Sequence, residues 1–388
     1  MSNAYETDWT GRFHGRARAV ERPASTDEVV ALLARCTRDG VPVTVAGGRT
    51  GLVGGAVPPE DGSALVLSTE RLTALDIDAD AGLAHAGAGV TIADLQAAAR
   101  AAGWEYAVDL ASRDSATVGG TIATDAGGVH VVGYGATGSQ VLAVTAVRMD
   151  GAVDAEVDPA ELVGSEGALA VITSATVRLH RPPTAIAVGL VPVDDVADAL
   201  RVLDVARTVP GLRAIEYAEA PVVDATHVLV EIAGAVDALA PLDPSSAADD
   251  AAGRARLWSQ REGAAERVAR ESADRGTPVH KLDVAVPLER LVAFRTALDA
   301  VVPASELRLW GHLAEGHLHV NVWGTYDDVV LELVVAHDGD VSSEHGVGRA
   351  KVEAFARARP EQAAALRVRK ERYDPSWLLN PGVLITRR

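Results

Sequence analysis

Short β-branched runs alternate with amphipathic helical stretches along most of this chain. Over residues 26–40, Val29, Val30, Leu32 and Leu33 form an apolar stripe, which predicts a helix capped by Thr26 and stopped by Gly40. The run VPVTVAGG then predicts a strand entering a tight turn, and residues 64–68 form another short apolar run. A second helix is expected over 90–103, with Thr91 as N-cap, Asp94 three residues on and Gly103 past the last turn. The runs VLAVTAVRM and LAVITSATVRL read as strands within 141–179. Arg181, Pro182, Pro183 and Thr184 break both periodicities and read as a linker.

Beyond the linker, VGLVPV reads as a strand, 194–206 as a helix and 222–232 as a strand. Residues 234–255, rich in Ala, Asp, Pro and Ser, read as a long exposed connection or partly mobile loop. A helix is expected over 257–275, a strand at VHKLDVAVPL and a helix at 288–300, then a strand, a histidine-rich turn and more strand. The C-terminal RKERYDPSWLLNPGVLI reads as a helix end, a turn and a closing segment. No internal repeat is present.

Composition narrows the class. At 388 residues the chain is long enough for two or three domains. Its 48% hydrophobic and 23% charged residues are ordinary globular usage, which excludes disorder, a collagen-like repeat or a coiled coil for the whole chain. A net charge of −18 makes it a poor ligand for a nucleic-acid backbone. The single cysteine, Cys36, excludes an internal disulfide and a cysteine-based metal cluster, and fits a reducing compartment. The N-terminus has no apolar signal-peptide core, and no apolar run approaches the roughly 18 residues of a spanning helix. The expected location is the cytoplasm.

Three glycine-rich segments carry the first chemical signal: AGGRTGLVGGAV (46–57), ATVGGTIATDAGGVHVVGYGATGSQV (116–141) and EGALAVITSATVRL (166–179). Glycine lets backbone amides approach a phosphate closely. No Gly-Lys-Ser/Thr follows the first, so it is not a P-loop, and GAGVTI at 87–92 lacks the third glycine of the dinucleotide fingerprint. In this order and spacing, the three segments resemble the FAD-binding domain of the vanillyl-alcohol-oxidase type over about residues 15–180.

The resemblance implies an α+β fold, with a two-part FAD-binding domain and a smaller α/β substrate cap domain. It implies FAD contacts at Gly47, Gly48, Thr50, Gly51, Leu52, Thr117, Gly119, Gly120, Gly127, Gly128, Tyr134, Glu166, Gly167 and Ile172. Arg49 stands where this branch has glycine and would add positive charge opposite the pyrophosphate; Asp125 stands where it has asparagine and is expected to point away from phosphate. No histidine lies between His14 and His85, near the first loop where some relatives attach the flavin, so the FAD is expected to be non-covalent.

The second signal is the histidine-rich GHLAEGHLHVNVWG (311–324), followed by VSSEHGVGRAK (341–351). His, Glu and Asp converging on one place suit a divalent metal with an open position. Spacing leaves two histidine pairs open. His317 and His319 share a face if they lie on one strand, whereas His312 and His319 converge only if the chain turns at Gly316.

These segments resemble the C-terminal half of FAD-linked D-2-hydroxy-acid dehydrogenases and oxidases, the branch of D-lactate dehydrogenases, the glycolate oxidase flavoprotein subunit and D-2-hydroxyglutarate dehydrogenase. The resemblance implies a divalent metal, zinc by preference, on His312, His319 and Glu344, and His345 as catalytic histidine. Ala314, Glu315 and His317 depart from the family's glycine, aspartate and asparagine, which leaves His317 as an added ligand or a substrate contact. Arg261, beside Glu262, and Lys281 match the residues that grip the substrate carboxylate, a task suited to guanidinium, and Asn321 matches a further substrate contact. Ala265 replaces the hydroxyl residue that relatives favouring a longer diacid can carry. Asn380 matches the C-terminal return to the flavin.

The domains expected are 1–180 for FAD, 181–360 for the cap with the metal and catalytic segments, and 361–388 for the return. The implied reaction is oxidation of a D-2-hydroxy acid to the 2-oxo acid by hydride transfer to flavin N5, with the metal polarising the hydroxyl and His345 as base. Partners are then the small hydroxy acid and an unidentified electron acceptor, with a homodimer as the candidate assembly. Alternatives are a flavin enzyme of another alcohol in specialised metabolism, a non-catalytic flavoprotein subunit, and a flavin-free metal hydrolase.

Overall fold

The computed structural model describes residues 4–387. In chain order its elements begin with β1 (Ala19–Glu21), α1 (Thr26–Asp39), β2 (Val43–Ala46), β3 (Leu65–Ser68), β4 (Leu75–Asp78), β5 (Leu83–Gly87) and α2 (Ile92–Ala101). Then come α3 (Val118–Thr124), α4 (Val131–Tyr134), α5 (Thr137–Gln140), β6 (Val141–Val147), β7 (Val153–Val157), β8 (Val171–Arg178), β9 (Ala187–Pro192), α6 (Val196–Ala206), β10 (Leu212–Ala218) and β11 (His227–Ile232). The remainder is β12 (Ser246–Ala248), α7 (Ala251–Glu262), α8 (Ala264–Arg275), β13 (His280–Ala285), α9 (Leu288–Val301), β14 (Leu307–His312), β15 (His317–Val322), α10 (Asp327–Ala336), α11 (Val352–Ala358) and α12 (Pro360–Tyr373).

Two compact units result. One comprises 1–127, 135–182 and 344–388; the other comprises 128–134 and 183–343. The first boundary falls between Pro182 and Pro183, two residues from the expected 180/181, and the second between Ser343 and Glu344, against an expected 360/361. Residues 128–134 group with the second unit because α4 packs on β10.

The first unit holds a parallel three-stranded sheet, β1-β3-β2, and an antiparallel five-stranded sheet, β4-β5-β8-β6-β7. One apolar core joins α1, α2, α3 and both sheets through Val29, Leu33, Leu67, Ile92, Ile122, Val144 and Val177, and extends to Tyr373 and Leu379. The cap of α1 is Ser25, one residue before the expected Thr26: its Oγ accepts from the Glu28 N–H. Gly40 ends that helix in the left-handed conformation that glycine adopts at no steric cost. The closing segment lies along β2, where Val43 donates to Leu378 O and Asn380 donates to Val43 O.

The second unit is a seven-stranded antiparallel sheet in the order β12-β9-β11-β10-β14-β15-β13. Residues 234–255 are mostly exposed, as their composition leads one to expect, but they carry regular structure. They include a 3-10 helix, the edge strand β12 paired with β9, and the start of α7, which Asp250 caps. Buried Leu239 and Leu242 hold the stretch to the sheet; two leucines among many small polar residues suffice to order it. The helix expected over 257–275 is two helices, broken at Gly263.

Candidate functional site

Residues opposed across antiparallel strands point to the same side of a sheet. Glu216 of β10 opposes His312 of β14, Trp310 opposes His319 of β15, Asp283 of β13 opposes His319, and Lys281 opposes Asn321. One face therefore carries Glu216, His312, His317, His319, Asn321, Asp283 and Lys281. The apolar part of this face is covered by α8, whose Ala264 and Val268 pack with Ala218 and Trp310, and by α7 through Leu257 against Leu229.

The chain turns back between β14 and β15 at Gly316, whose φ is 61°. A Cβ there would lie 2.0 Å from Val286 O, so the turn requires glycine. This turn resolves the choice between histidine pairs: all three histidines come together. Ring centroids lie 4.9 Å apart for His312 and His317, 5.6 Å for His312 and His319, and 4.5 Å for His317 and His319. One nitrogen from each lies within 4.8 Å of the others.

Two buried carboxylates stand behind them. Glu216 Oε1 lies 2.6 Å from His312 Nδ1, and its Oε2 accepts from Arg261 Nε at 2.7 Å. Burial alone would push the Glu216 carboxyl up, but His312 and Arg261 outweigh it and hold it below its ordinary range. Asp283 lies 2.6 Å from His317 Nε2 and accepts from Ser342 Oγ and the Ser343 N–H. Nearby Glu315 is pushed up to about 7 by burial, with His312 pulling it down and Glu216 adding to the rise. Imidazole nitrogens in a buried, acid-backed cluster are a donor set that fits a divalent transition metal.

Arg261 lies in the last turn of α7 with its side chain 11% exposed. Only its Nε is taken, by Glu216; among the described residues its two terminal nitrogens make no hydrogen bond. Lys281 is half-buried, and desolvation lowers its pKa. Asn321 is buried and its Nδ2 donates to His319 O and, at 3.4 Å, to Arg308 O. Glu344 and His345 follow directly on Ser343, with His345 Nε2 3.3 Å from Glu344 Oε1.

In the first unit the glycine-rich segments meet. A Cβ on Gly48 would fall 1.9 Å from Ser115 O, and one on Gly47 2.7 Å from Thr117 Oγ1, so the 46–52 loop lies directly against the 115–120 segment. Among the described residues, the backbone N–H groups of 48–52 make no hydrogen bond. Such a run of open donors fits a pyrophosphate. Asn380 Oδ1 accepts from Val45 N at 2.7 Å and its Nδ2 donates to Glu166 O at 2.6 Å, which ties the closing segment to the third glycine-rich stretch. Glu166 accepts from the Val347 and Gly348 N–H groups, yet burial pushes it up to about 7.

Arg49 packs its guanidinium over the Tyr5 ring and donates to Ala4 O. Asp125 caps α3 and accepts from the Gly138 N–H. Gly128 and Tyr134 belong to the second unit, where the Tyr134 hydroxyl accepts from Arg213. The other residues expected to touch FAD belong to the first unit.

The sequence reading missed Glu216 and Asp283. The signal was a carboxylate in the middle of an apolar strand, AIEYA in one case and KLDVAV in the other. A charge there is tolerated only with partners.

Comparison with known proteins defines the class. A family model described as an FAD binding domain matches residues 17–154, and one described as the C-terminal domain of FAD linked oxidases matches residues 195–384. A D-lactate dehydrogenase of Archaeoglobus fulgidus is 32% identical, with 94% of this chain and 91% of that protein covered. A D-2-hydroxyglutarate dehydrogenase of Xanthomonas citri pv. viticola is also 32% identical, over 98% of this chain and 92% of that one. The glycolate oxidase subunit GlcD of Escherichia coli is 30% identical over 97% and 85%. A crystal structure of alkyldihydroxyacetonephosphate synthase matches in fold with a TM-score of 0.72 at 15% identity, over 93% of this chain and 75% of that one. The fold is α+β, of the FAD-binding type expected. The protein is an FAD-dependent oxidoreductase and belongs to the FAD-linked oxidase family. Among the described residues no helix is long and apolar enough to cross a membrane.

Proposed function

We propose that the protein oxidises the CH–OH group of a D-2-hydroxy acid, such as D-lactate or glycolate, to the 2-oxo acid. The observation that carries this reading is the shared face of the seven-stranded sheet, where one buried carboxylate, Glu216, holds both His312 of the histidine cluster and the guanidinium of Arg261, whose terminal nitrogens make no hydrogen bond among the described residues. The names of the relatives, all small hydroxy-acid enzymes, support it.

Arg261 and Lys281 bind the substrate carboxylate, Arg261 through its two-pronged terminal nitrogens. Asn321 lines the same face and orients the substrate. His312 and His319, with Glu344, hold a divalent metal, zinc by preference, which when bound supplies Lewis acidity at the substrate hydroxyl. His345, next in the chain to Glu344, takes the hydroxyl proton. The glycine-rich segments, with Glu166, Ile172 and Asn380, hold FAD non-covalently; the bound flavin supplies the two-electron acceptor. Ala265 leaves a second carboxylate poorly provided for, which favours monocarboxylates.

The test is dye-linked turnover with paired D and L isomers of lactate, malate and 2-hydroxyglutarate, together with glycolate. The D isomer of at least one acid, or glycolate, is expected to reduce the dye and its L partner not to. No turnover with any of them, from protein carrying FAD, would overturn the substrate class.

A further inference from the structure

The metal reading above uses His312 and His319, at the two positions where the resemblance expects histidine. His317 is different. The resemblance puts asparagine there, yet the chain places a third imidazole at the same point. It is 2% exposed, lies on the same strand face as His319 two residues away, and faces both other rings at 4.5 and 4.9 Å.

A buried imidazole is costly unless its nitrogens are used. Asp283 Oδ1 lies 2.6 Å from His317 Nε2, but this nitrogen makes no hydrogen bond, so the contact is off the ring N–H direction. Asp283 is itself fixed by Ser342 and Ser343, as Glu216 is fixed by Arg261. Glu216 thus hydrogen-bonds His312, and Asp283 stands beside His317 as a second buried carboxylate. Carboxylates behind ligating histidines hold ring orientation and raise ligand basicity.

We propose that His317 is a metal ligand, giving this chain a three-imidazole donor set with His312 and His319, in place of a role in touching substrate. The inference rests on the metal reading above. Three imidazoles favour zinc and its neighbours over manganese or magnesium, and they leave fewer positions open to substrate.

The experiment uses the full-length flavoprotein and zinc ion alone. Zinc affinity is measured by competition with a chelating dye for wild type, His317→Asn and His319→Asn, and the nitrogen shell of zinc-loaded wild type is counted by X-ray absorption. Three imidazoles in the wild-type shell are expected, with a loss of affinity of at least about tenfold in both variants. Two imidazoles, or an unchanged affinity in His317→Asn beside a lowered one in His319→Asn, would overturn the proposal and leave the metal reading intact. A wild-type protein that binds no zinc would overturn both. The X-ray count needs only wild type, so it decides even if a variant fails to fold.

Discussion

Glu216 joins His312 to Arg261: its two carboxylate oxygens lie 2.6 Å from His312 Nδ1 and 2.7 Å from Arg261 Nε, and the residue is 1% exposed. One buried charge thereby sets the ring orientation of the proposed metal ligand and the direction in which the guanidinium presents its free nitrogens. The carboxylate faces Nδ1 of His312, which sets the orientation of that ring. Glu216→Gln keeps the shape and removes the charge. Metal affinity is expected to fall by about 10- to 100-fold. KM for the hydroxy acid should rise in the same variant, because Arg261 loses its anchor. Equilibrium dialysis against zinc and steady-state kinetics check the two effects separately. A variant unchanged in both would contradict the role.

Glu231 is the anchor of a neighbouring network in the same unit. It accepts from Arg213 Nε and Trp258 Nε1, both at 2.9 Å, and lies 3.1 Å from His130 Nε2. Trp258 and Arg261 sit one turn apart on α7, so this helix is pinned to two adjacent strands through two carboxylates. Burial pushes Glu231 up, but these partners outweigh it and hold the carboxyl at about 2, against an ordinary value of 4.5. A depressed carboxyl stabilises the folded state above its unfolded pKa, and that contribution is lost as pH falls from about 4.5 towards 2. It amounts to about 3 kcal/mol at most. Glu231→Gln should therefore be clearly less stable than wild type at pH 7, with the gap narrowing by pH 3. Denaturant unfolding followed by tryptophan fluorescence measures this, and a gap independent of pH would contradict the assignment.

Lys370 is 2% exposed and donates to Asp374 Oδ2, Ala168 O and Leu379 O. Burial lowers its pKa while Asp374 supports the charge. It fastens α12 and the closing segment to the core of the first unit. Lys370→Met strands the fully buried Asp374, so a loss of about 3–5 kcal/mol is expected. The double variant Lys370→Met/Asp374→Leu should recover part of it, as read from the midpoints of chemical denaturation.

His345 is assigned as the base. His345→Ala should bind FAD in wild-type amount and reduce it about 10²- to 10⁴-fold more slowly. Flavin content is read from the visible spectrum and the rate from rapid mixing without oxygen. A variant that reduces its flavin at the wild-type rate would remove His345 from the mechanism.

The parts of this protein that sequence made legible are those where local chemistry acts alone. Gly40, Thr91 and the Pro182–Pro183 break follow from local backbone rules, and the structure uses each as expected. From spacing alone the convergence of His312 with His319 was legible only as a condition on Gly316, because a seven-residue spacing says nothing until the turn is known; the family resemblance supplied the pair. The exposure of residues 234–255 was legible in their composition; their regular structure was not, because composition does not register two leucines that reach a core. Glu216 and Asp283 were missed because their partners lie far off in sequence: His312 is 96 residues from Glu216. A buried carboxylate reveals its purpose only through such partners.

Metal-assisted oxidation of a hydroxy acid by the bound flavin is open to one direct measurement: D-lactate, glycolate, D-malate or D-2-hydroxyglutarate is added to the purified yellow protein without oxygen, before and after chelation, while the flavin absorbance is recorded. At least one acid is expected to bleach the flavin, chelation to abolish the bleaching, and zinc to restore it. A yellow protein that none of these acids bleaches, or one bleached equally after its metal has been removed, would contradict this mechanism.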